Sequence, residues 1–172
     1  MILLGLSYLA LLRIETQQAN TAIDENMVAY FNAMNHQDYN AMRQYLYPTD
    51  NEDYLLDILI KSKAVGVQSI RLQKIYPALV NNDVAIVGFE TSQNAVYKGE
   101  DVTTRNTNTF FFRRKDGQWY IAKPQDLSDI PARKISDMID QYNGVMKENM
   151  AGSIVTQQEY NNATFQKVKK GD

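Results

Sequence analysis

VAIVGFETSQNAVYKGEDVTTRNTNTFFFRRKDGQWYIA, residues 84–122, is the stretch on which the fold turns. In its first run Val84, Ile86 and Gly88 alternate with Ala85, Val87 and Phe89; in its second, Asn106, Asn108, Phe110 and Phe112 alternate with Arg105, Thr107, Thr109 and Phe111. A period of two sends successive side chains to opposite faces of a strand. Lys98-Gly99-Glu100 and Asp116-Gly117 separate the runs, and Gly and Asp accept the left-handed backbone that tight hairpins require. The stretch predicts strands over about Val84–Tyr97, Val102–Arg114 and Trp119–Ala122. A similar run from about Val67 to Leu79 is joined to them through Asn81-Asn82. Because the connections are short, neighbours in sequence become neighbours in the sheet, and the prediction is a four-stranded antiparallel meander.

Upstream of the strands the period changes. Ile23, Met27, Tyr30, Phe31 and Met34 recur at helical spacing and mark one face of a helix. After the break at Asn35-His36-Gln37-Asp38 come Ala41, Met42, Tyr45 and Leu46, with Asp38 placed to cap a second, shorter helix that ends at Pro48. A third helical run starts at Asp50, with Leu55, Leu56, Ile58 and Leu59 as its apolar face, and dissolves near Gly66. Downstream, Pro131 opens a helix whose Ile135, Met138, Ile139 and Tyr142 share a face, and Asn143-Gly144 weakens or ends it. The sum is an α+β domain, N-terminal helices on an antiparallel meander with an extra C-terminal helix, over about residues 14–150. Residues 151–172 read as a polar tail or an added strand.

Composition narrows the function. The chain has 172 residues, enough for one domain with a sizeable core, and 18 Lys and Arg balance 20 Asp and Glu. That balance lacks the basic excess that counters nucleic-acid phosphates, so nucleic acid is not an expected partner. With no cysteine and one histidine, disulfides, thiolate nucleophiles and sulfur-ligated zinc are excluded, and neither a metal nor a cofactor is expected. No Gly-rich phosphate loop or nucleophile elbow occurs. Residues 1–13 stand apart: Ile2 to Leu12, ILLGLSYLALL, is almost wholly apolar and the first charge is Arg13. The run is shorter than the roughly 20 residues that span a bilayer and matches the apolar region of an export signal, without a preceding Lys or Arg or a following cleavage site. An anchor cut short at its start, an uncleaved signal and a buried first helix all fit. Membrane attachment through residues 2–12 and a place in the cell envelope or outside the cell are the expectation, with the cytoplasm as the alternative.

Two stretches carry a resemblance. Val28 to Pro48, VAYFNAMNHQDYNAMRQYLYP, resembles the opening helices of the nuclear transport factor two-like superfamily, which also holds SnoaL-like and ketosteroid-isomerase-like proteins. Thr109 to Ala122, TFFFRRKDGQWYIA, resembles that superfamily's last hairpin. With the meander between them the likeness covers roughly Thr21 to Pro124. It implies a cystatin-like cone: a strongly curved sheet wrapped around the long first helix, with a pocket between. Members include isomerases, dehydratases, transport adaptors and non-catalytic accessory domains, so the fold leaves function open. The superfamily also resembles the extracytoplasmic domains of type IV secretion and conjugation assembly factors, which an apolar start would suit. The helix after Pro131 exceeds the minimal cone.

An isomerase on this scaffold needs a carboxylate base facing the pocket and an acidic hydroxyl or carboxyl for the enolate. Asp38 with Tyr30, Tyr45 and Tyr97 supplies the types, and His36 with Asp38 is the one His-Asp pair that SnoaL-like chemistry would use. The plainer reading makes Asp38 a helix cap, the tyrosines core and His36 a solvated turn residue, so no catalytic residue is assigned. Tyr30, Tyr45, Tyr97, Phe110, Phe112 and Trp119 are the candidate pocket lining; equally, these rings fill the cone as its core. Arg113-Arg114-Lys115 reads as a solvated hairpin tip. The expectation is a non-enzymatic extracytoplasmic interaction or accessory domain with protein partners, including a homodimer through the sheet. A small-molecule binder or enzyme of ketosteroid-isomerase or SnoaL type is the alternative.

Overall fold

The computed structural model describes residues 2–49 and 66–151, with side chains placed over 13–49 and 66–148. The third helical run predicted from Asp50 and the tail beyond 151 lie outside the described residues. Helix α1 (Ile2–Asn35) is followed by the short α2 (Tyr39–Arg43). The strands are β1 (Val67–Ile75), β2 (Leu79–Asn81), β3 (Val84–Tyr97), β4 (Glu100–Lys115) and β5 (Gln118–Ala122). A 3₁₀ turn (Pro124–Leu127) then leads into α3 (Ala132–Ala151).

All strand pairings are antiparallel, in the order β1-β3-β4-β5, with β2 also on β3. The sheet has five strands where the sequence predicts four, because the run Val67–Leu79 breaks after Ile75. Pro77 has no N–H to give the ladder, and the chain leaves β3 there before rejoining it at Leu79. Lys98-Gly99 and Asp116-Gly117 form two-residue turns with φ positive at both positions, 53° and 82° in one and 51° and 81° in the other. That geometry matches the right-handed twist of the strands they join.

α1 differs most from expectation. One helix runs from Ile2 through the polar residues Glu15–Thr21 to Asn35 and crosses the boundary expected at residue 13. Its predicted stripe forms: Ile23, Met27, Tyr30 and Phe31 are buried and Met34 packs against them. The helix closes in a Schellman motif, with Asp38 N–H bonded to Ala33 O at 2.9 Å and Gln37 N–H to Met34 O at 3.0 Å, while Gln37 itself takes φ 55°. Asp38 then caps α2, its Oδ1 accepting Ala41 N–H at 2.9 Å. α3 continues through Asn143-Gly144, since its buried face of Met138, Tyr142 and Met146 keeps helical spacing beyond that pair. Among the described residues no helix is long and apolar enough to cross a membrane.

Two cores sandwich the sheet. On one face α1 and α2 bury Ala85, Val87, Phe89, Phe112, Trp119 and Ile121. On the other, α3 covers Tyr76, Val84, Ile86, Ala122 and Leu127. Three asparagines fasten α1. Asn20 Oδ1 accepts Ala78 N–H at 2.7 Å, and Asn35 bonds both backbone groups of Ile70, at 2.7 and 2.9 Å. Asn26 Nδ2 donates to Trp119 O at 2.6 Å on the opposite side. The nine-residue step from Asn26 to Asn35 turns the helix by about half a revolution, so the two amides point to opposite edges of the sheet. The segment after α2 adds to this on β5: Tyr47 N–H bonds Ile121 O and Ile121 N–H bonds Tyr45 O, each at 2.8 Å.

Candidate functional site

The face of the sheet that meets α1 is the wall against which the sequence places its candidate pocket, while a separate cavity of about 600 Å³ opens on the other side between Phe111, Leu127, Ile130 and Ile135. Register identifies the wall: Ala85 faces Phe112, Val87 faces Phe110, Phe89 faces Asn108, Thr91 faces Asn106 and Gln93 faces Thr104. Opposed residues in an antiparallel pair share a face. At one end the wall is apolar and packed with rings. Phe89 and Phe110 lie 4.5 Å apart by ring centroid, Phe31 sits 5.5 Å from Phe89 and 6.3 Å from Phe110, and Tyr30 packs edge-on to Phe31 and Phe110 at 5.8 and 6.2 Å. Spacings of this order are those of an aromatic core. Beyond the rings β3 and β4 contribute an uncharged polar band of Thr91, Gln93, Thr104, Asn106 and Asn108, flanked on β1 by the apolar Leu72 and Ile70.

Of the six residues proposed from the sequence, five gather here. Tyr30, Phe112 and Trp119 are buried, and Phe110 and Tyr45 are half-buried against the same cluster. Tyr97 does not join them. It lies at the end of β3, ten positions from Val87 and so about 34 Å along the strand, 58% exposed beneath the Lys98 ammonium, which stands 5.4 Å from its ring. Its parity along β3 matches that of Val87, but the length of the strand carries it away from the core.

The candidate acid and base are occupied elsewhere. Asp38 is an exposed cap, and the His36 Nδ1 lies 2.8 Å from Asn32 O, an arrangement in which Nδ1 donates. The basic cluster is more than a solvated turn. Arg113 forms a two-pronged pair with Asp129, at 2.8 and 2.5 Å, and lies over the Tyr47 ring; Arg114 holds Asp83 at 2.9 Å and lies over Trp119. The Arg113 guanidinium holds the Asp129 carboxyl below its usual range, chiefly through this hydrogen bond.

A second polar group lies under α3, where sequence reasoning assigned nothing. Tyr142 accepts the Gly88 N–H at 2.5 Å and donates to Pro77 O at 3.2 Å. Tyr76, almost fully buried, donates to Glu90, with Lys74 Nζ 4.4 Å from its ring. Burial and this carboxylate push the Tyr76 phenol well above its ordinary pKa. Pro77, Gly88 and Tyr142 each carry a visible signal, a strand-breaking proline, a strand glycine and a tyrosine on an apolar helix face, but no local pattern links them. Among the described residues no group of His, Asp and Glu could hold a metal.

No family model and no curated protein matches the chain. Its likeness is to solved structures. A nuclear transport factor 2-like superfamily protein of Salmonella enterica serovar Typhimurium superimposes with a TM-score of 0.52 at 14% identity, over 62% of this chain and 87% of that one. A Mycobacterium tuberculosis protein of unknown function gives 0.51 at 12%, over 78% and 92%. A protein of Novosphingobium aromaticivorans, described as NTF2-like with a cystatin-like fold, gives 0.50 at 15%, over 74% and 93%. At such identities the likeness bears on fold rather than activity. On this helix-and-sheet architecture and these superpositions, the chain shares the fold of nuclear transport factor 2-like, cystatin-like proteins, and α3 covers the second face of its sheet.

Proposed function

We propose that the chain is a non-catalytic interaction or accessory domain, held in the cell envelope outside the cytoplasm by its apolar N-terminal segment. The observation that carries the non-catalytic half is the aromatic packing between α1 and the sheet, where Phe110 has Phe89, Tyr30 and Phe31 at 4.5, 6.2 and 6.3 Å by ring centroid. The Asp38 carboxylate that could have served as a base is engaged in capping. The attachment half rests on the uncharged run Ile2–Leu12. An envelope assembly is the setting that suits both, and contact between copies through the polar part of the sheet is compatible with it.

A second reading has its own observation. The band of Thr91, Gln93, Thr104, Asn106 and Asn108 offers hydroxyls and amides without charge, which suits a small neutral polar ligand. Incubation of the full chain with a cyclic ketone in deuterium oxide, followed by proton NMR, separates binding from enolising chemistry. The proposal expects no exchange of the α-protons above background. Exchange that Asp38→Asn abolishes would replace it with the isomerase reading.

A further inference from the structure

α1 leads from the packed domain into the apolar run without a break, and its direction decides which end of the domain faces whatever covers that run. The helix is continuous from Ile2 to Asn35. Residues 13–18 are all exposed, and the described packing begins at Ala19. Beyond them the run Ile2–Leu12 carries no charge, and its leucines at positions 3, 4, 6, 9, 11 and 12 do not keep the spacing of a single apolar stripe. A helix that pairs with a second copy needs one apolar stripe and keeps a polar back. One that is apolar all round needs an apolar medium all round, and lipid hydrocarbon supplies it. Ile2–Leu12 rises about 17 Å against a hydrocarbon core of about 30 Å, so these residues by themselves reach one leaflet.

The structure also shows what stands beside the exit. A cleft of about 460 Å³ is lined by Glu15 and Thr16 of α1 together with Asn82 and Asp83 of the β2–β3 turn, Arg114 and Trp119. The β2–β3 and β4–β5 turns therefore flank the first exposed turn of α1. From there α1 passes Ala78 through Asn20 and Ile70 through Asn35, and Ile70 pairs with Gln93. α1 and β3 thus run in the same direction, and the β3–β4 tip lies beyond the other end of the helix. β3 has 14 residues, about 45 Å of strand. Val96 and Tyr97 at its end are 37% and 58% exposed.

Resting on the lipid-attachment reading above, we infer that the domain stands on a lipid surface by its β2–β3 and β4–β5 turns, with the β3–β4 hairpin tip directed away from it. Near the base Arg13, Arg114 and Lys115 are matched by Glu15, Asp83 and Asp116, so attachment depends on hydrocarbon burial and not on anionic headgroups. The chain has no cysteine, which permits single labels at the exposed Asn81 and Asp101. Full-length Asn81→Cys and Asp101→Cys, each carrying a fluorophore, are mixed with phosphatidylcholine vesicles whose headgroups bear a quencher, and flotation of the unlabelled chain is followed in parallel. The expected result is flotation with zwitterionic vesicles as complete as with anionic ones, and quenching at position 81 several-fold stronger than at position 101. Leu4→Asp with Leu9→Asp abolishes flotation and leaves the melting temperature unchanged. Failure to float, or a dimer in sedimentation that the same double substitution dissolves, overturns the attachment reading and this inference with it. Flotation with equal quenching at the two labels, with the order reversed, or only on anionic vesicles, overturns the inference alone.

Discussion

Gln37 and Asp38 together turn the chain from α1 into α2. Gln37 supplies the left-handed residue of the Schellman motif at φ 55°, a conformation that disfavours a side chain with a Cβ. Gln37→Gly is expected to raise stability by about 0.5–1 kcal/mol in denaturant unfolding. Asp38→Ala removes the cap on Ala41 N–H and is expected to lower it by about 1 kcal/mol. Asp38 was legible as a cap because its residue type and place before an apolar run identify one; Gln37 was not, since glutamine carries no left-handed preference and only its position after the last turn imposes one. Asp129 has a testable pH signature. Its folded pKa lies below the ordinary carboxylate value, so its contribution is present above the unfolded pKa, near 4, and is lost as pH falls through the depressed folded value. In Asp129→Asn the acid limb of the stability profile should flatten over that window, as read by thermal melts from pH 6 to pH 2.

At the scale of elements, the sheet is completed by helices. The break at Pro77 leaves the Gly88 N–H without a strand partner, and the Tyr142 hydroxyl of α3 takes that place while donating to Pro77 O. Tyr142→Phe strands both groups and should cost about 1–3 kcal/mol, with faster hydrogen exchange at the Gly88 amide as the local readout. Gly88 also admits α3 sterically: a Cβ there would lie 2.7 Å from the Met146 sulfur and 3.1 Å from the Tyr142 hydroxyl. Gly88→Ala should therefore loosen α3 by about 1–3 kcal/mol, less what the flexible Met146 recovers by moving. These links were invisible in the sequence for a physical reason. Periodicity reports which face of an element is buried, whereas Asn20, Asn26, Asn35 and Tyr142 bond backbone 58, 93, 35 and 54 positions away. The strands and the helix after Pro131 were legible because each encodes its own pattern. The break after Ile75 escaped because apolar residues continue through it.

For the whole molecule, the sequence revealed the class of fold, the aromatic cluster and the alternative uses of that cluster, but not the choice between them. Residue types allow Phe110 to be a pocket wall or a core ring, and the decision lies in how closely α1 approaches the sheet. With Phe31 and Phe89 at 6.3 and 4.5 Å from its ring, Phe110 packs against the core cluster, which favours the core reading. A ring that fills a core cannot be removed without leaving a cavity, whereas a ring lining an open pocket can be removed at little cost to stability. The most direct test is the unfolding free energy of Phe110→Ala in the full chain. A loss of about 2–4 kcal/mol is predicted, scaled down from full burial because the ring is half-buried. Stability equal to or above that of the parent chain would show an open pocket at the place where the structure has a core, and would contradict the account.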